Sequence, residues 1–233
     1  MAIFDRESSE QDVIGSADAA TRALSVTAVD NYFVDRVYGK LSKVYDMIFG
    51  PTLHPGRVQA INRMRMEMRP GAHILEVGVG TGINAALYPR ECQVTGIDFS
   101  ASMLEVAHER LERKGIKNMR LLQMDAADLT FADDSFDIVY APYLISVVPD
   151  PVQVAYEMRR VCKPDGRIVF LNHFRSPNPL LSWGERLISP FTIHIGFKAD
   201  LDLPAFLAQA KLEPISIEKV NVPRIWSLVT CRK

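Results

Sequence analysis

The middle of the chain alternates short apolar runs with segments in which apolar residues recur every three or four positions. The first pattern predicts β-strands, and the second predicts amphipathic helices. The strand segments are apolar at almost every position, which is typical of parallel strands buried on both faces. We therefore predict an α/β fold with a mostly parallel, doubly wound sheet between two layers of helices. Five strands are predicted at residues 72–77, 93–98, 119–123, 136–141 and 167–172.

The helices of this pattern are bounded by proline, glycine and capping residues. Lys163-Pro164-Asp165-Gly166 is expected to form the loop into the fifth strand. Two closing strands, predicted at residues 215–220 and 225–231, bring the sheet to seven strands. Helices are predicted at residues 56–68, 83–89, 100–114, 152–162, 180–188 and 203–212.

Residues 1–69 lack the strand pattern and are predicted to form an N-terminal helical extension to one domain of residues 70–233. Residues 1–28 are small and polar, so we expect a loose leader or a marginal helix there. From Asp30 to Phe49 apolar residues recur at helical spacing, and the opposite face is basic. Two interpretations stay open: a helix packed on its own core, or a basic amphipathic helix lying on an anionic membrane. The basic residues of that face are Arg36, Lys40 and Lys43.

The composition of the chain excludes some classes of function. Of its 233 residues, 48% are hydrophobic and 24% are charged, the balance of an ordinary soluble globular protein. The net charge of −1 gives no reason to expect a nucleic-acid partner. No apolar window approaches the ~18 residues of a membrane-spanning helix, and the N-terminus does not resemble a secretion signal. The cysteines lack metal-ligand spacing, so we expect reduced thiols in a cytoplasmic protein and no metal site.

Three glycines follow the first predicted strand at every second position: Gly78, Gly80 and Gly82. Glycine permits positive φ angles and lets a ligand approach bare backbone. The helix expected behind this loop would offer unpaired N–H groups to an electronegative ligand. The dinucleotide fingerprint requires glycine where this chain has Ile83, and no Lys-Ser or Lys-Thr pair follows, which excludes a P-loop. The loop therefore predicts a nucleotide-type cofactor of another kind.

Three acidic residues narrow the kind of cofactor. Glu76 interrupts the first apolar strand, where a carboxylate suits a cationic ligand group better than a pyrophosphate. Asp98 ends the second strand about twenty residues further on, where a carboxylate can accept hydrogen bonds from ribose hydroxyls. Asp125 follows the third strand, where it would accept a hydrogen bond from the exocyclic amine of an adenine.

The glycine loop and these acids resemble the class I S-adenosylmethionine-dependent methyltransferases, over roughly residues 70–231. The resemblance implies S-adenosyl-L-methionine as the cofactor. It also implies that the glycines pass under the methionyl part, with Glu76 supporting the loop, and that Asp98 holds the ribose. Phe99 and Met124 would then sandwich the adenine, and Ala141 would lie beside the methionyl group. The cofactor-binding residues implied in this way are Tyr38, Glu76, Gly78, Gly80, Gly82, Asp98, Phe99, Met124, Asp125, Ala126 and Ala141.

The ends of the fourth and fifth strands are the candidate substrate wall, because ligands bind beyond the carboxyl ends of parallel strands. His173 could accept a proton from a substrate ammonium group. Tyr143 could donate a hydrogen bond to a phosphate or hold an amine through cation–π contact. A hydrogen-bonded core pair is the structural alternative for both residues. The wall consists of residues 140–143 and 172–174.

A second resemblance lies outside the glycine loop. The spacing of Tyr38, Leu41 and Tyr45-Asp46, with Phe49-Gly50 and Gly56-Arg57 behind it, is similar to the entry region of two families. One comprises the quinone-biosynthesis C-methyltransferases, and the other the soluble bacterial phosphatidylethanolamine N-methyltransferases. The second family also shares the motifs Asn172-His173-Phe174 and Gly196-Phe197.

This second resemblance implies stepwise N-methylation of phosphatidylethanolamine toward phosphatidylcholine at the membrane surface. It implies a phospholipid substrate, attachment through the basic helix to the inner face of the membrane, and no obligate protein partner. Tyr45, Tyr143 and His173 are then the candidate catalytic residues. Two alternatives stay open: C-methylation of a quinone precursor, and a membrane-surface binding module that keeps the fold but lacks turnover.

Overall fold

The structure, a computed structural model, describes residues 51–175, 201–221 and 224–233. The predicted helices near residues 30–49 and 180–188 lie outside these ranges. So do Tyr38, Tyr45 and the basic residues Arg36, Lys40 and Lys43. The described residues contain a seven-stranded sheet. Its strands are β1 (His73–Val77), β2 (Gln93–Asp98), β3 (Met119–Gln123), β4 (Phe136–Pro142), β5 (Cys162–His173), β6 (Glu213–Val220) and β7 (Trp226–Arg232).

The strand order is β3-β2-β1-β4-β5-β7-β6, which confirms the predicted seven-stranded, mostly parallel sheet. Strands β1 to β5 pair in parallel, and β7 pairs antiparallel with both β5 and β6. The chain runs outward from β1 to β3 and then returns to place β4 on the other side of β1. Ligands bind at such a reversal of strand order, beyond the carboxyl ends of the strands. The topology therefore directs attention to the ends of β1 and β4.

Three of the described helices begin at a capping side chain. Ser100 accepts a hydrogen bond from the Met103 N–H, and Asp150 and Asp202 cap the next two helices in the same way. These caps satisfy N–H groups that have no partner inside their own helix. The helical segments are α1 (residues 51–65), α2 (Ala101–Lys114), α3 (Pro151–Val161), α4 (Leu203–Gln209) and a 3₁₀ turn at Ala85–Leu87.

The α-helix expected at residues 83–89 is absent, and this prediction is wrong. The described segment holds a three-residue 3₁₀ turn, in which the Leu87 N–H donates to the Asn84 carbonyl at 2.8 Å. The side chains of Asn84 and Tyr88 are both directed to Glu76, at 2.7 Å. Pro89 follows them and cannot continue a helix. The glycine loop is therefore followed by a short 3₁₀ turn and not by the N-terminus of an α-helix.

The loop expected at residues 163–166 is instead part of β5. Phe136 pairs with Cys162 and Ile138 pairs with Arg167, so the register shifts between these two pairs. The intervening residues of β5 stand opposite Asp137 and form a bulge, which keeps the chain within the strand. The Lys163 ammonium group closes the bulge with a 2.8 Å hydrogen bond to the Asp137 carboxylate.

Two apolar clusters cover the two faces of the sheet. Along β1, Ile74 belongs to one cluster and Leu75 to the other, since successive side chains point to opposite faces. Helices α3 and α4 cover the Leu75 face. Helices α1 and α2 cover the Ile74 face, with Ile61 of α1 fully buried there. Part of the chain assigned to the N-terminal extension thus packs against the sheet.

None of the helices in the described ranges is long and apolar enough to cross a membrane.

Candidate active site

Two adjoining cavities lie beyond the carboxyl ends of β1, β2 and β4. Their volumes are about 130 Å³ and about 160 Å³. Both are lined by Gly78, Asp98, Leu144 and Val147, so they form one continuous cleft. We call the smaller cavity the methionyl cavity and the larger one the adenine cavity, after the predictions for their lining residues.

A larger cavity of about 750 Å³ lies at the opposite, amino-terminal end of β1 and β4. Its charged side chains are largely paired with one another: Lys163 with Asp137 at 2.8 Å, and Arg167 with Glu67 at 2.7 Å. It contains neither the glycine loop nor Asp98 and Asp125. Size alone therefore does not identify the site.

The glycine loop forms the floor of the methionyl cavity. All three glycines have positive φ angles, 74° at Gly78, 53° at Gly80 and 69° at Gly82. A Cβ at Gly78 would come within 2.7 Å of the Leu144 side chain. A Cβ at Gly80 would meet no protein atom within 4 Å, although Gly80 lines the cavity. The open side of Gly80 is thus where a ligand can approach the backbone.

Asp98 ties the loop to the start of α2. Its carboxylate accepts hydrogen bonds from the Gly80 N–H at 2.8 Å and from the Ser100 N–H at 3.0 Å. Sequence reasoning anticipated a role toward ribose but not this contact with the loop. A carboxylate has about four lone-pair positions, so the two functions are compatible. The ribose contact itself stays a prediction.

Glu76 is buried, with 1% of its surface exposed. Its two carboxylate oxygens accept hydrogen bonds from the Asn84 side-chain amide and the Tyr88 hydroxyl, each at 2.7 Å. Burial raises the pKa of Glu76 to about 7, against the opposing effects of these two hydrogen bonds and of the Arg57 charge. Glu76 thereby holds the segment behind the glycine loop against β1. Sequence reasoning assigned this support to Glu76 but missed Asn84 and Tyr88 as its partners.

The adenine cavity brings together residues from the ends of β2 and β3. Phe99 lies at its mouth with 41% of its surface exposed. Asp125 accepts a hydrogen bond from the Ala127 N–H at 2.8 Å, which fixes its position at the wall. The other predicted residues that line this cavity are Gly78, Asp98, Met124 and Ala126.

Ala141 does not line either cavity. It is fully buried in the cluster that α3 and α4 cover. The next three residues, Pro142, Tyr143 and Leu144, line the methionyl cavity instead. Contact between Ala141 and a methionyl group stays a prediction that these cavities do not reproduce.

Tyr143 follows β4 and has a left-handed backbone, with φ at 58°. Such angles are uncommon for residues other than glycine, and they occur often at functional sites. Its hydroxyl donates to the Leu53 carbonyl of α1 at 2.9 Å and accepts from the Asn221 side chain at 3.0 Å. The expected contacts of this residue were to a phosphate or an amine. The structure directs its hydroxyl to α1.

His173 ends β5 and is 6% exposed. It pairs with Trp226 of β7, and the centroids of the two rings are 6.4 Å apart. The neighbouring Asn172 donates to the His173 carbonyl at 2.8 Å and accepts from the Ser146 hydroxyl at 3.3 Å. His173 lines neither the methionyl nor the adenine cavity. Its role as a proton acceptor stays a prediction.

Arg57 is a further functional candidate that sequence reasoning did not place at the site. It belongs to α1, is 5% exposed, and lines the methionyl cavity with Glu76 and Gly80. Its guanidinium carbon lies 5.0 Å from the centroid of the Tyr143 ring. One of its terminal nitrogens, Nη1, has no hydrogen-bond partner among the described residues. A buried guanidinium with donors to spare is suited to a carboxylate or a phosphate. The sequence carried no signal for this position beyond the Gly56-Arg57 motif.

Comparison with known proteins agrees with this geometry. Residues 75–170 match the family described as a methyltransferase domain. The phosphatidylethanolamine N-methyltransferase of Cereibacter sphaeroides is 38% identical over 183 residues, 78% of this chain and 88% of the relative. The demethylmenaquinone methyltransferase of Listeria welshimeri is 33% identical over 147 residues, 60% of this chain and 61% of the relative.

Among solved structures, phosphoethanolamine N-methyltransferase 2 of Haemonchus contortus in complex with S-adenosyl-L-methionine superposes with a TM-score of 0.69 at 21% identity. The superposition covers 86% of this chain and 59% of that one. The chain belongs to the class I S-adenosylmethionine-dependent methyltransferases. Within that class it is similar to the bacterial phosphatidylethanolamine N-methyltransferase over most of its length.

The cofactor is therefore S-adenosyl-L-methionine, and the residues of the cleft fit it. Gly80 leaves bare backbone open in the methionyl cavity. Nη1 of the buried Arg57 has no hydrogen-bond partner among the described residues and would suit the methionyl carboxylate. The adenine cavity combines apolar walls with the carboxylates of Asp98, Asp125 and Asp150. When bound, the cofactor supplies an electrophilic methyl group on a sulfonium. The protein has to hold it, orient the acceptor and exclude water.

Proposed function

We propose that this chain transfers methyl groups from S-adenosyl-L-methionine to the amine of phosphatidylethanolamine, stepwise toward phosphatidylcholine. The observation that carries the proposal is the 38% identity to the Cereibacter sphaeroides enzyme, which extends over 88% of that relative. The similarity to the Listeria welshimeri demethylmenaquinone methyltransferase is lower, at 33%, and covers 61% of that relative. Similarity over nearly a whole relative includes regions outside the cofactor cleft, where substrates are distinguished.

The chemistry sets two requirements on the site. In each transfer a nitrogen–carbon bond forms as the sulfur–carbon bond breaks, and S-adenosylhomocysteine leaves. The attacking amine must be neutral, although a free alkylammonium group resembles lysine, with a pKa of ~10.4. Its proton must therefore pass to a base or to water before or during attack. The nucleophile must also lie in line with the methyl group.

The residues proposed for these tasks are Tyr45, Tyr143 and His173. His173 is the candidate base because imidazole titrates near neutral pH, and it lies at the carboxyl end of β5. Tyr143 lines the methionyl cavity and is held against α1. Tyr45 lies outside the described residues, and its role rests on resemblance alone.

A lipid substrate also requires the protein to reach headgroups at a membrane surface. We propose that it is a peripheral protein of the inner membrane face, attached through the segment that carries Arg36, Lys40 and Lys43. Each such cation contributes ~1 kcal/mol near an anionic surface. This attachment is proposed from the sequence, since the segment lies outside the described residues.

The test of the reaction is incubation of the purified protein with methyl-labelled cofactor and phosphatidylethanolamine liposomes. We expect label in mono-, di- and trimethylated lipids, and none with liposomes of phosphatidylcholine alone. An Asp98→Ala variant, which cannot hold the loop or the ribose, serves as the inactive control. Absence of label in every ethanolamine lipid would overturn the proposal. In a parallel reaction, transfer to a prenylated quinone precursor would assign the chain to the C-methyltransferase alternative.

The membrane proposal has a separate test. Changing Arg36, Lys40 and Lys43 together to glutamate is expected to abolish sedimentation with phosphatidylglycerol vesicles while leaving the affinity for cofactor unchanged. The matched control reverses Arg113, Lys114 and Lys117, which are exposed near the end of α2 and change the net charge equally. Retained vesicle binding in the first variant would refute this attachment. Binding of both vesicles and cofactor without transfer to any lipid would instead indicate a non-catalytic module.

A further inference from the structure

We infer that Asn221 is a positioning residue of the active site, which holds α1 and Tyr143 so that Arg57 faces the cofactor. Asn221 lies at the turn after β6, far from the glycine loop in sequence. The inference concerns cofactor binding and does not depend on which acceptor is methylated. A negative result in the lipid assay would therefore not contradict the inference about Asn221.

The side chain of Asn221 bridges two separate parts of the chain. Its carbonyl oxygen accepts a hydrogen bond from the Gly56 N–H at 2.6 Å, and its amide nitrogen donates to the Tyr143 hydroxyl at 3.0 Å. Asn221 is 7% exposed, so water competes little with these two contacts. Its backbone is left-handed, with φ at 62°, a conformation that asparagine tolerates better than most residues.

The Tyr143 hydroxyl closes the arrangement by donating to the Leu53 carbonyl at 2.9 Å. Leu53 and Gly56 are three residues apart, so the Asn221 and Tyr143 side chains form hydrogen bonds to the backbone of one turn of α1. We call these four residues the α1 clamp. A Cβ at Gly56 would lie 2.6 Å from the Asn221 oxygen and 2.8 Å from the Tyr143 hydroxyl. Only glycine lets the helix backbone come this close.

Arg57 directly follows Gly56, at the end of this turn of α1. Its guanidinium carbon lies 5.0 Å from the centroid of the Tyr143 ring, so the same tyrosine touches both the helix backbone and the arginine. The arginine lines the methionyl cavity with Nη1 free of partners among the described residues. The clamp thus determines where along the cavity the guanidinium lies.

Anchoring of α1 as a whole does not require the clamp. Ile61 and Met64 are buried against the sheet, and Arg63 pairs with Glu218 at 2.9 Å. These contacts lie one to two turns beyond Gly56 and keep the helix docked when the clamp is removed. Loss of Asn221 should therefore displace the first turn of α1 and the arginine on it, without releasing the helix.

The test uses Asn221→Gly in the full-length protein, since glycine keeps the left-handed backbone and removes only the side chain. We expect the dissociation constant for S-adenosylmethionine, measured by calorimetry, to rise about tenfold, as for loss of a buried charged contact. In an Arg57→Gln background the same change should alter the dissociation constant by less than about twofold, because the affected contact is already gone. If instead the fold-changes in the dissociation constant caused by the two substitutions multiply in the double variant, the inference is overturned.

A matched control separates positioning from stability. Asn118 also bridges two segments, donating to the Pro89 and Cys92 carbonyls at 2.9 and 3.1 Å, but it lies away from Arg57. Asn118→Gly should lower the melting temperature while leaving cofactor affinity unchanged. If Asn221→Gly does not fold, Tyr143→Phe provides the second measurement, since it keeps the ring beside Arg57 and removes only the hydroxyl. An unchanged dissociation constant in Tyr143→Phe and in every folded Asn221 variant would reassign the clamp to structure alone.

Discussion

Arg57 brings a positive charge to the methionyl cavity, whose other charged side chains are the acids Glu76 and Asp98. The cofactor carries the complementary set: a carboxylate together with cationic amine and sulfonium groups. Arginine presents a planar fork of donors that matches a carboxylate better than the point charge of lysine. The residue reaches this place because it lies on α1, next to Gly56. No local sequence pattern could reveal that, since α1 is separated from the glycine loop in the chain.

A prediction at this scale concerns the charge and shape of Arg57. Arg57→Gln should weaken S-adenosylmethionine binding about tenfold or more, and Arg57→Lys should fall between that variant and the unmodified protein, because it keeps the charge without the fork. Calorimetric titration measures both. S-methyl-5′-thioadenosine, which lacks the carboxylate, provides the control ligand, and its affinity should be the same in all three proteins. Equal losses for both ligands would show that Arg57 does not contact the carboxylate.

The glycine loop is held in place mainly by hydrogen bonds to the end of β2. The Gly78 and Val79 N–H groups both donate to the Ile97 carbonyl of β2, at 2.9 and 2.8 Å, and the Gly80 N–H donates to Asp98. These bonds use donors that a free nucleotide-binding loop would present to a phosphate. The carboxylate of Asp98 adds to the same effect. The loop is therefore built for a cationic ligand group and not for a phosphate.

A pair of glycine substitutions isolates the ligand-binding part of this loop. Gly80 and Gly115 both have positive φ angles, 53° and 61°, and a Cβ at either would meet nothing within 4 Å. Alanine at each position should thus destabilise folding by a similar amount, about 1–2 kcal/mol. Only Gly80 lines the cofactor cleft, so only Gly80→Ala should lose affinity for S-adenosylmethionine, by about tenfold or more. Chemical denaturation and calorimetry on both variants measure the two effects, and unchanged affinity in Gly80→Ala would place the ligand elsewhere.

At the scale of the whole molecule, the sheet order brings the cleft, the first turn of α1 and Asn221, which follows β6, to one end. Strands β1 and β4 lie side by side although β2 and β3 separate them in sequence. This reversal opens the crevice between the glycine loop and Tyr143. The antiparallel pair β7 and β6 extends the sheet on the β5 side and carries Asn221 back to α1. Residues from three distant parts of the chain therefore build the site.

The buried Glu76 makes the stability of the whole molecule depend on pH. Its pKa is raised from 4.5 in the unfolded chain to about 7 in the folded protein, chiefly by burial. The folded protein therefore keeps this proton up to a higher pH than the unfolded chain does. Protonated Glu76 stabilises the folded state fully below pH 4.5, and this stabilisation is lost as the pH rises through 7. Relative to Glu76→Gln, the free energy of unfolding of the unmodified protein should fall by about 2 kcal/mol between pH 5 and pH 8.

Chemical denaturation of both proteins at the two pH values measures this difference. The comparison cancels the contributions of other groups, such as Asp137 and Glu157, whose pKa values are lowered by Lys163 and Arg160 and whose stabilisation is lost in acid instead. Parallel pH profiles for the two proteins would contradict the assignment of this dependence to Glu76.

Several features of this protein follow from its sequence alone. The five parallel strands were predictable because burial leaves each with a short group of apolar residues between turn residues, and β2 and β3 begin and end at the predicted residues. The glycine spacing and Asp98 and Asp125 identified the cofactor, since a ligand that sits on strand ends is bound by residues adjacent in sequence to each strand. Such local signals need no knowledge of the tertiary structure.

The tertiary structure decided what the local pattern could not. The apolar spacing after the loop predicts a helix, but the buried carboxylate of Glu76 draws Asn84 and Tyr88 toward it and leaves only a 3₁₀ turn. Arg57 lines the methionyl cavity, and Asn221 contacts α1, only because α1 packs beside the end of β6. Contacts between residues far apart in the chain depend on packing, which periodicity and spacing do not encode. The sequence determined the sheet and its cofactor, and the packing of α1 determined how the cleft is completed.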